Sequence, residues 1–306
     1  MKIAILIPCY NEAVSISKVL EDCQKYLPKA DVYVYDNNST DDTIKIARSM
    51  GAFVYTEKHQ GKGNVVRRMF ADIEADVYAM IDGDATYDIA SIPKMIQKLT
   101  DEHLDMVTGV RKMVTDKAYP TGHQFGNKLM TKIVHLFFGK QTNDMLSGLR
   151  VFSRRFVKSY PANSHGFEIE TELTVFASSM RLPIADMETP YYSRPEGSVS
   201  KLSTFKDGYR ILKMIAILIK EERPLLFFGL GALVFFILSV LCAIPVVLHY
   251  FETGLVPRIP TTILSVGLGL CGGVSLAIAL ILDTVAKTRQ EIRRMRYLSI
   301  SLYSKE

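Results

Sequence analysis

The chain has 306 residues, with 37 lysines and arginines against 32 aspartates and glutamates, which leaves a net charge of +5. Hydrophobic residues make up 48% and charged residues 23%, so the composition excludes intrinsic disorder, and the length allows one large domain or two ordinary ones. The four cysteines form no Cys-x-x-Cys motif or disulfide framework, which favours a reducing compartment.

The N-terminal third alternates short apolar runs with helical stretches. Predicted strands cover residues 3–7, 32–35, 53–55, 77–81 and 106–110. Predicted helices cover residues 13–26, 39–51 and 61–74, the second of them capped by Ser39 and Asp42. This βαβ alternation predicts an α/β fold with a mainly parallel sheet and helices on both faces.

Polar residues follow the predicted strands where each strand ends. In open parallel sheets, ligands bind beyond this edge. Asp82 and Asp84 stand one residue apart after an apolar run, an arrangement that suits a divalent cation holding a diphosphate. Asp-x-Asp in a loop is more commonly turn chemistry, but its place at a strand end favours a metal site.

Two further acidic residues lie at the same predicted edge. Asp36 ends the second strand, and an acceptor there can take an N–H group of a nucleobase. A turn with a helix cap explains Ser39 and Asp42 but not Asp36. Glu12 either caps the first helix or faces the nucleotide, and the sequence leaves both readings open.

Two long uncharged stretches, residues 225–248 and 261–282, lie near the C-terminus. At ~1.5 Å per residue, the first makes a helix of about 36 Å, long enough to cross a ~30 Å hydrocarbon core. The second is rich in glycine and serine, which suits close helix packing in lipid. Both are predicted to span a membrane, and the alternative is a pair of buried helices in a soluble core.

Basic residues flank the two predicted spans on their outer sides. They are Lys213, Lys220 and Arg223 before the first span, and Lys287, Arg289, Arg293, Arg294 and Arg296 after the second. The positive-inside rule therefore predicts an inner-membrane protein with its soluble domain and both termini in the cytosol and a short loop outside. The basic balance points to anionic lipid rather than to nucleic acid.

A helical stretch connects the soluble part to the first span. Its apolar residues recur at helical spacing and predict a helix lying in the membrane interface, with an ordinary surface helix as the alternative: Phe205, Tyr209, Leu212, Ile215 and Ile219. The predicted organisation is a soluble domain over 1–203, this helix over 204–223, spans over 224–283 and a basic tail over 284–306. The soluble domain is expected to fold without the spans, which themselves offer a surface for homo-oligomers.

Five motifs occur in a fixed order along the chain. They are Pro8-Cys9-Tyr10-Asn11-Glu12, Asp36-Asn37-Asn38-Ser39-Thr40-Asp41, Asp82-Gly83-Asp84, the run from Asp144 to Arg150, and Arg194-Pro195-Glu196-Gly197-Ser198-Val199-Ser200-Lys201-Leu202. In this order they resemble the family 2 glycosyltransferases with the GT-A fold, and most closely the polyprenyl-phosphate hexose transferases, a group that includes dolichyl-phosphate mannose synthases. The resemblance covers residues 1–205.

The resemblance implies a role for each matching position. Nucleoside-binding residues would be Pro8, Tyr10, Glu12 and Asp36, while Asp82 and Asp84 would hold Mg²⁺ or Mn²⁺ on the diphosphate. Asp144 and Arg150 would lie where donor sugar and acceptor phosphate meet, and the phosphate contacts would come from Arg194, Ser200 and Lys201. Thr86 stands where many relatives have a glutamine that contacts the metal, which leaves the third protein ligand open.

The implied reaction moves one hexose from a UDP- or GDP-sugar to a polyprenyl phosphate, with inversion at the anomeric carbon. A phosphate monoester has a second pKa near ~6, so it is a competent nucleophile at neutral pH and the site must chiefly supply cations. Arg111 and Lys62 are further candidates for phosphate contact, the alternatives being a surface ion pair for Arg111 and a helix start for the Lys62 loop. Either Glu170 or Glu172 is a candidate to face the sugar, the alternative being acidic residues that favour the dipole of a helix's first turn.

The sequence disfavours two other functions. A processive polysaccharide synthase is disfavoured because the chain has no tryptophan and therefore no Gln-x-x-Arg-Trp motif, and because two spans are few for a polymer channel. A non-catalytic membrane protein that binds a nucleotide sugar is disfavoured by the presence of Asp82, Asp84 and Arg150.

Overall fold

The computed structural model describes residues 1–114, 121–139, 142–197, 204–256 and 258–301. The chain divides into two compact units. The first unit comprises Met1–Ile215 and Arg293–Glu306, and the second comprises Ala216–Ile292.

Within the described residues, the first unit contains one seven-stranded sheet in the order β3-β2-β1-β4-β6-β5-β7. The strands are β1 (Ile3–Cys9), β2 (Asp31–Asp36), β3 (Phe53–Thr56), β4 (Val77–Met80), β5 (Met106–Met113), β6 (Arg150–Ser153) and β7 (Ile184–Tyr191). Neighbouring strands are parallel except for β6, which runs antiparallel between β4 and β5. The predicted mainly parallel α/β sheet is confirmed.

Helices cover both faces of this sheet. In the first unit they are α1 (Ile16–Tyr26), α2 (Thr43–Ser49), α3 (Lys62–Asp72), α4 (Ile92–Asp101), α5 (Thr121–Phe138), α6 (Arg154–Ser159) and α7 (Ile169–Ser179). Successive side chains of β1 enter different cores: Ala4 and Leu6 pack in one cluster, and Ile5 and Ile7 in the other. This alternation is the two-residue period of a strand buried on both faces.

The antiparallel β6 was not predicted, and it changes which residues reach the functional edge. Its first residue, Arg150, pairs with Met80 at the end of β4 and with Thr108 in β5. The loop that precedes β6 therefore arrives at the edge where the parallel strands β1, β2 and β4 end.

Three long helices follow the sheet: α8 (Thr204–Glu222), α9 (Pro224–Thr253) and α10 (Ile259–Ser299). Both α9 and α10 are long and apolar enough to cross a membrane, with mean hydropathies of 2.8 and 2.2 over their most apolar segments. Only 11% and 17% of those segments are buried, whereas the core helices of a soluble protein are mostly buried. This exposure disfavours the alternative of two buried core helices.

Small residues let α9 and α10 approach closely. Ser239 and Ser265 each donate a side-chain hydrogen bond to the other's carbonyl, at 2.7 and 2.9 Å. A Cβ added at Gly272 would lie 3.1 Å from the Phe236 ring, whereas one added at Gly273 would meet open space. Part of the glycine and serine content of α10 thus serves packing between the two helices.

The predicted interfacial helix forms as α8, but its apolar residues do not all share one environment. Ile215 and Ile219 are buried, while Tyr209 and Leu212 are 69% and 44% exposed. The side chain of Phe205 lies outside the part of the chain that the structure describes. An interfacial role for α8 remains a prediction.

The predicted basic tail, residues 284–306, does not form a separate segment. Instead, α10 continues to Ser299, and the residues from Arg293 onward belong to the first unit. Tyr297 is 8% exposed within the core cluster and donates a hydrogen bond from Oη to Asp105 Oδ2 at 2.8 Å. Arg155 donates from Nε to the Ile300 carbonyl at 3.0 Å. The end of α10 is therefore part of the first unit's core.

Candidate active site at the carboxyl edge of the sheet

The loops after β1 and β2 are joined by hydrogen bonds at the carboxyl edge. The N–H of Asn11 donates to Ser39 Oγ at 2.8 Å, and the N–H of Thr40 donates to Asn11 Oδ1 at 2.7 Å. The N–H of Glu12 donates to Thr43 Oγ1 at 2.8 Å. Asn11 adopts a positive φ of 53°, a conformation that asparagine tolerates better than most residues. These contacts fix the two loops against each other.

Three residues predicted to bind the nucleoside lie at the end of β1 or in the loop that follows it. Pro8 is half-buried in β1, and Tyr10 is 38% exposed just beyond it. Glu12 is buried, and its Oε2 accepts a hydrogen bond from Ser15 Oγ at 3.1 Å at the start of α1. The Glu12 side chain therefore contacts Ser15, the N-cap residue of α1, rather than being the cap itself, and its predicted contact with the nucleotide stays a prediction.

Asp36 ends β2 with its side chain buried at 1% exposure. Its Oδ2 accepts the N–H of Ser39 at 3.0 Å, while its Oδ1 has no hydrogen-bond partner among the described residues. Buried acceptors are normally satisfied, so this oxygen is suited to an N–H group brought by a ligand.

The two carboxylates after β4 are paired with cations. Asp84 is buried, and its Oδ2 lies 2.6 Å from Arg194 Nη2. Its Oδ1 accepts from the hydroxyl of Thr86 at 2.6 Å, so Thr86 supports Asp84. Burial and the neighbouring Asp82 raise the pKa of the Asp84 carboxyl, with Arg194 opposing them.

Lys62 bridges two carboxylates from different elements. Its Nζ lies 2.5 Å from Asp82 Oδ1 and 2.6 Å from Glu170 Oε1. Burial alone would lower the pKa of the Lys62 ammonium, but Asp82 and Glu170 raise it above its usual range, so the group is charged. Burial raises the pKa of Glu170, and Lys62 counteracts that shift. The structure brings Glu170, rather than Glu172, to the edge.

The start of α3, which carries Lys62, is fastened by two neighbouring loops. Asn37 accepts the N–H of Gly61 on its Oδ1 at 2.7 Å and donates to the Glu57 carbonyl at 2.9 Å. The N–H of Gly63 donates to the Gly166 carbonyl at 3.1 Å, in the loop before α7. Glu172 accepts the N–H of Asn163 in that loop at 3.0 Å. Glu172 is therefore a loop anchor.

Asp144 and Arg111 form a two-point ion pair. Arg111 Nε lies 2.7 Å from Asp144 Oδ2, and its Nη2 lies 2.7 Å from Oδ1. Their side chains are 8% and 6% exposed. Planar guanidinium and carboxylate groups match in this geometry, so each fixes the orientation of the other.

Arg150 differs from its predicted position between two anionic substrates. Its side chain is completely buried, and it donates to the carbonyls of Ser147 at 3.0 Å and Met145 at 2.5 Å and to Thr174 Oγ1 at 3.0 Å. Burial lowers its pKa, with Glu170 and Asp144 opposing. Arg150 thus stabilises the loop before β6 through its hydrogen bonds to two carbonyls of that loop, and we propose that it is a positioning residue.

Two predicted phosphate contacts, Ser200 and Lys201, lie outside the described residues. The donor chemistry of Asp82 and Asp84 fits a hard divalent cation, because two carboxylates share one strand end and the charge of Asp82 raises the pKa of Asp84. No cluster of three or more His, Cys, Asp or Glu side chains with metal-binding geometry occurs in the described part of the chain.

Comparison with known proteins agrees with this geometry. The model of the family described as glycosyl transferase family 2 matches residues 4–160, which is half of the chain. The chain belongs to this family. It is 34% identical over 229 residues to the glycosyltransferase AglJ of Haloferax volcanii, covering 74% of this chain and 75% of that protein. The chain is also 27% identical over 221 residues to the dolichyl-phosphate hexose transferase of Haloferax volcanii, covering 72% of this chain and 95% of that protein.

Solved structures show the same fold. A crystal structure of glucosyl-3-phosphoglycerate synthase from Mycobacterium tuberculosis, in complex with Mn²⁺, UDP and glucosyl-3-phosphoglycerate, superposes with a TM-score of 0.59. It is 23% identical to this chain and covers 72% of it, and the match covers 79% of the synthase chain. This similarity establishes the GT-A fold of the family 2 domain.

Sequence reasoning missed the roles of three residues at this edge. Asn37 orders the loop before Lys62, and Tyr87 accepts the N–H of Gly148 at 2.7 Å. Asn37 lies inside a motif already singled out, so its position gave a usable signal. Tyr87 sits after the Asp-x-Asp turn and has no sequence feature that points to Gly148. The pairing of Glu170 with Lys62 joins residues 108 positions apart and leaves no local pattern.

Proposed function

We propose that this glycosyltransferase transfers one hexose from a UDP- or GDP-sugar to a polyprenyl phosphate on the cytosolic face of a membrane, with inversion at the anomeric carbon. The observation that carries the proposal is the presence, in one chain, of a family 2 carboxylate edge and two exposed apolar helices. The similarity to a dolichyl-phosphate hexose transferase over 95% of that protein supports a lipid phosphate acceptor.

The donor nucleotide would bind along the loops after β1, β2 and β4. Asp36 Oδ1 would accept a nucleobase N–H, with Pro8, Tyr10 and Glu12 forming the adjoining wall. Asp82 and Asp84 would hold Mg²⁺ or Mn²⁺, and Mn²⁺ occurs with UDP in the structurally similar synthase. The bound cation would supply positive charge to the diphosphate and so stabilise the leaving nucleoside diphosphate.

The acceptor needs cationic residues rather than a base. A phosphate oxygen forms the new bond to the anomeric carbon, while the bond to the donor diphosphate breaks and the diphosphate takes the electron pair. At neutral pH the acceptor is largely dianionic, because its second pKa is about 6, so the site does not have to remove a proton from it. Arg111 is oriented by Asp144, and Arg194 stands at Asp84, so both can neutralise approaching phosphates. Ser200 and Lys201 are proposed to complete that contact.

The position of Tyr297 supports the proposed membrane arrangement. Residues 1–215 and the end of α10, from Arg293 onward, belong to the same compact unit, which supports a hairpin of two apolar helices that would leave and re-enter the same compartment. Lysines and arginines flank both outer ends of the hairpin, which by the positive-inside rule supports the cytosol as that compartment. The loop between α9 and α10 would lie outside.

Turnover by the full-length enzyme tests the proposal. The purified protein is offered UDP- and GDP-sugars with undecaprenyl phosphate and Mg²⁺ or Mn²⁺, and the lipid product is identified by its mass. We expect one hexose per lipid and a severe loss of turnover in Asp84→Asn. A polymeric product would favour a processive synthase, and donor binding without any transfer would favour a non-catalytic protein. Full activity in excess chelator would overturn the metal role.

A further inference from the structure

Lys62 is shared between an exposed carboxylate and a buried one. Its Nζ lies 2.5 Å from Asp82 Oδ1 and 2.6 Å from Glu170 Oε1. The Asp82 side chain is 26% exposed, whereas the Glu170 side chain is 5% exposed. An incoming ligand therefore reaches Asp82 from solvent, while Glu170 stays behind Lys62.

The backbone keeps Glu170 within reach of Lys62. The start of α3 and the loop before α7 are joined by hydrogen bonds from the N–H groups of Gly63 and Asn64 to the carbonyls of Gly166 and His165, at 3.1 and 3.3 Å. A Cβ at Gly63 would lie 2.7 Å from the carbonyl carbon of Ser164, so the two segments are in direct backbone contact. This contact does not depend on what occupies Asp82.

Asp82 has little freedom to move away from an incoming cation. A Cβ at Gly148 would lie 2.9 Å from Asp82 Cγ, so the carboxylate already stands against that backbone. Lys62 has a flexible four-carbon stem and a compact ammonium group. A divalent cation at Asp82 repels this ammonium group, and Lys62 is then the group that moves.

We propose that Glu170 is a positioning residue that retains Lys62 when Asp82 takes up a divalent cation. The inference rests on the metal role of Asp82 in the proposed function. Before the metal arrives, Lys62 neutralises both carboxylates. Afterwards Lys62 stays on Glu170, where its charge faces the diphosphate that accompanies the metal. Glu170 thus controls metal affinity through Lys62 and not through its own charge.

Equilibrium Mn²⁺ binding to the full-length protein in detergent tests this coupling without turnover. The free Mn²⁺ signal in electron paramagnetic resonance is measured for the wild type, Glu170→Gln, Lys62→Met and the double variant. We expect Glu170→Gln to weaken Mn²⁺ binding about tenfold, because Lys62 is then left with Asp82 alone. Lys62→Met should bind Mn²⁺ more tightly than the wild type. Adding Glu170→Gln to Lys62→Met should change affinity by less than about twofold, since the coupling runs through Lys62.

Glu172→Gln is the matched control, because Glu172 lies two residues further along α7, is equally buried and bonds the loop at Asn163. Its Mn²⁺ affinity should match the wild type, and Glu170→Asp should restore part of the loss in Glu170→Gln.

Three results would overturn the inference: an unchanged affinity in Glu170→Gln, an equal loss in both backgrounds, or a Lys62→Met variant that binds no more tightly than the wild type. The last comparison decides the matter if Glu170→Gln does not fold. Asp82→Asn distinguishes failure of the metal role of Asp82 from failure of the positioning role of Glu170. If it abolishes Mn²⁺ binding while Glu170→Gln has no effect, the proposed function stands and the inference fails. If it leaves Mn²⁺ binding unchanged, the metal role itself fails.

Discussion

Asp36 has one carboxylate oxygen bonded to the Ser39 backbone and one buried oxygen with no partner among the described residues. Leaving a buried acceptor unsatisfied costs about 1–3 kcal/mol, which a ligand N–H would recover. Asp36→Asn should therefore weaken binding of the proposed donor nucleotide, UDP or GDP, about tenfold or more, because an amide donor replaces the acceptor. Isothermal titration calorimetry with UDP and with GDP measures the change, and the melting temperature should stay near that of the wild type.

Asp41 provides the control in the same loop. Its carboxylate accepts the N–H groups of Ala13 and Thr43 at 3.0 and 3.1 Å, and these contacts are structural. Asp41→Asn should lower the unfolding free energy by about 1 kcal/mol, the usual scale for a cap, and leave UDP affinity unchanged. Equal losses of UDP affinity in both variants would contradict a specific role for Asp36.

Asp144 tests whether the reaction needs a general base. Its carboxylate is engaged by Arg111 through two hydrogen bonds of 2.7 Å, so its role is to orient that cation. We expect Asp144→Asn to retain measurable activity. Its rate and the wild-type rate should both rise from about pH 5 to about pH 7 as the acceptor phosphate takes its second charge. Complete inactivity at every pH, measured as pH–rate profiles at saturating donor, would instead make Asp144 the base.

We expect substitution of Arg150 to reduce the stability of the fold rather than to remove a direct contact with substrate. Arg150→Ala removes the donors to the Met145 and Ser147 carbonyls and leaves a cavity in the core. Each buried polar group left unpaired costs about 1–3 kcal/mol, so the unfolding free energy should fall by about 3 kcal/mol or more. Thermal unfolding followed by circular dichroism measures this loss. If the variant melts like the wild type but lacks turnover, the result would instead support the predicted contact between Arg150 and substrate.

The sequence predicted the locations of site residues where local position carries the information, while the roles of these residues stay predictions. Asp36, Asp82 and Asp84 follow apolar runs, and a strand end in a parallel sheet determines where such side chains lie. Arg150 also borders a strand, but its surroundings depend on an antiparallel pairing and on Thr174 in α7. Neither contact leaves a mark in the neighbouring sequence.

At the scale of elements, the first five strands were predicted within a few residues of their observed bounds. The apolar runs of β1 and β4 are the signal of strands buried on both faces, whereas β3 at the sheet edge is mostly exposed. β6 has only four residues, and β7 (Ile184–Tyr191) is mostly half-buried, so neither shows a long apolar run. The predicted cap of α2 by Ser39 and Asp42 was wrong. Asp41 accepts the N–H of Thr43 instead, and Ser39 accepts the N–H of Asn11 from the neighbouring loop.

The contact between the start of α3 and the loop before α7 can be tested with one methyl group. A Cβ at Gly63 would lie 2.7 and 2.8 Å from the carbonyl carbons of Ser164 and His165, and backbone atoms cannot turn aside as a side chain can. Gly63→Ala should lower the unfolding free energy by about 1–3 kcal/mol, the cost of overpacking, and should reduce donor affinity by displacing Lys62. Chemical denaturation and UDP titration measure the two effects.

Gly208→Ala is the matched substitution in a helix. A Cβ there would make an ordinary 3.8 Å contact with the end of the Met130 side chain. Because alanine favours helix over glycine by about 1 kcal/mol, this variant should be as stable as the wild type or more so, with unchanged UDP affinity. Losses of similar size in both glycine variants would show that the contact at Gly63 is not special.

At the scale of the whole molecule, composition alone predicted the two apolar helices but not the course of the chain after them. A long stretch without charged residues is a strong local signal for a membrane-spanning helix. Both predicted stretches form helices, α9 and α10, that are long and apolar enough to cross a membrane. Tyr297 lies in a basic segment, and nothing near it indicates that it enters the core of the first unit. The expectation that residues 1–203 fold without the C-terminal region therefore needs revision, because removing that region also removes Tyr297 from the core.

The Tyr297–Asp105 contact gives the last prediction, which concerns stability and its dependence on pH. Tyr297→Ala should lower the unfolding free energy of the first unit by about 3 kcal/mol, as for other buried aromatic rings. Tyr297→Phe keeps the ring but removes the donor to Asp105 Oδ2, at a cost of about 1–2 kcal/mol. Comparison of the two variants separates ring packing from the hydrogen bond.

The pH dependence of the Tyr297→Phe variant has a definite sign. Burial raises the pKa of Asp105, with hydrogen bonds from Ser153 and Tyr297 opposing, so losing the tyrosine hydroxyl raises it further. A carboxyl with a raised pKa stabilises the fold below its unfolded pKa of about 3.9 and loses that contribution as the pH rises through its folded pKa. The gap in melting temperature between Tyr297→Phe and the wild type should therefore be larger at about pH 8 than at about pH 4. A gap that does not change with pH would mean that Asp105 does not sense the hydroxyl of Tyr297.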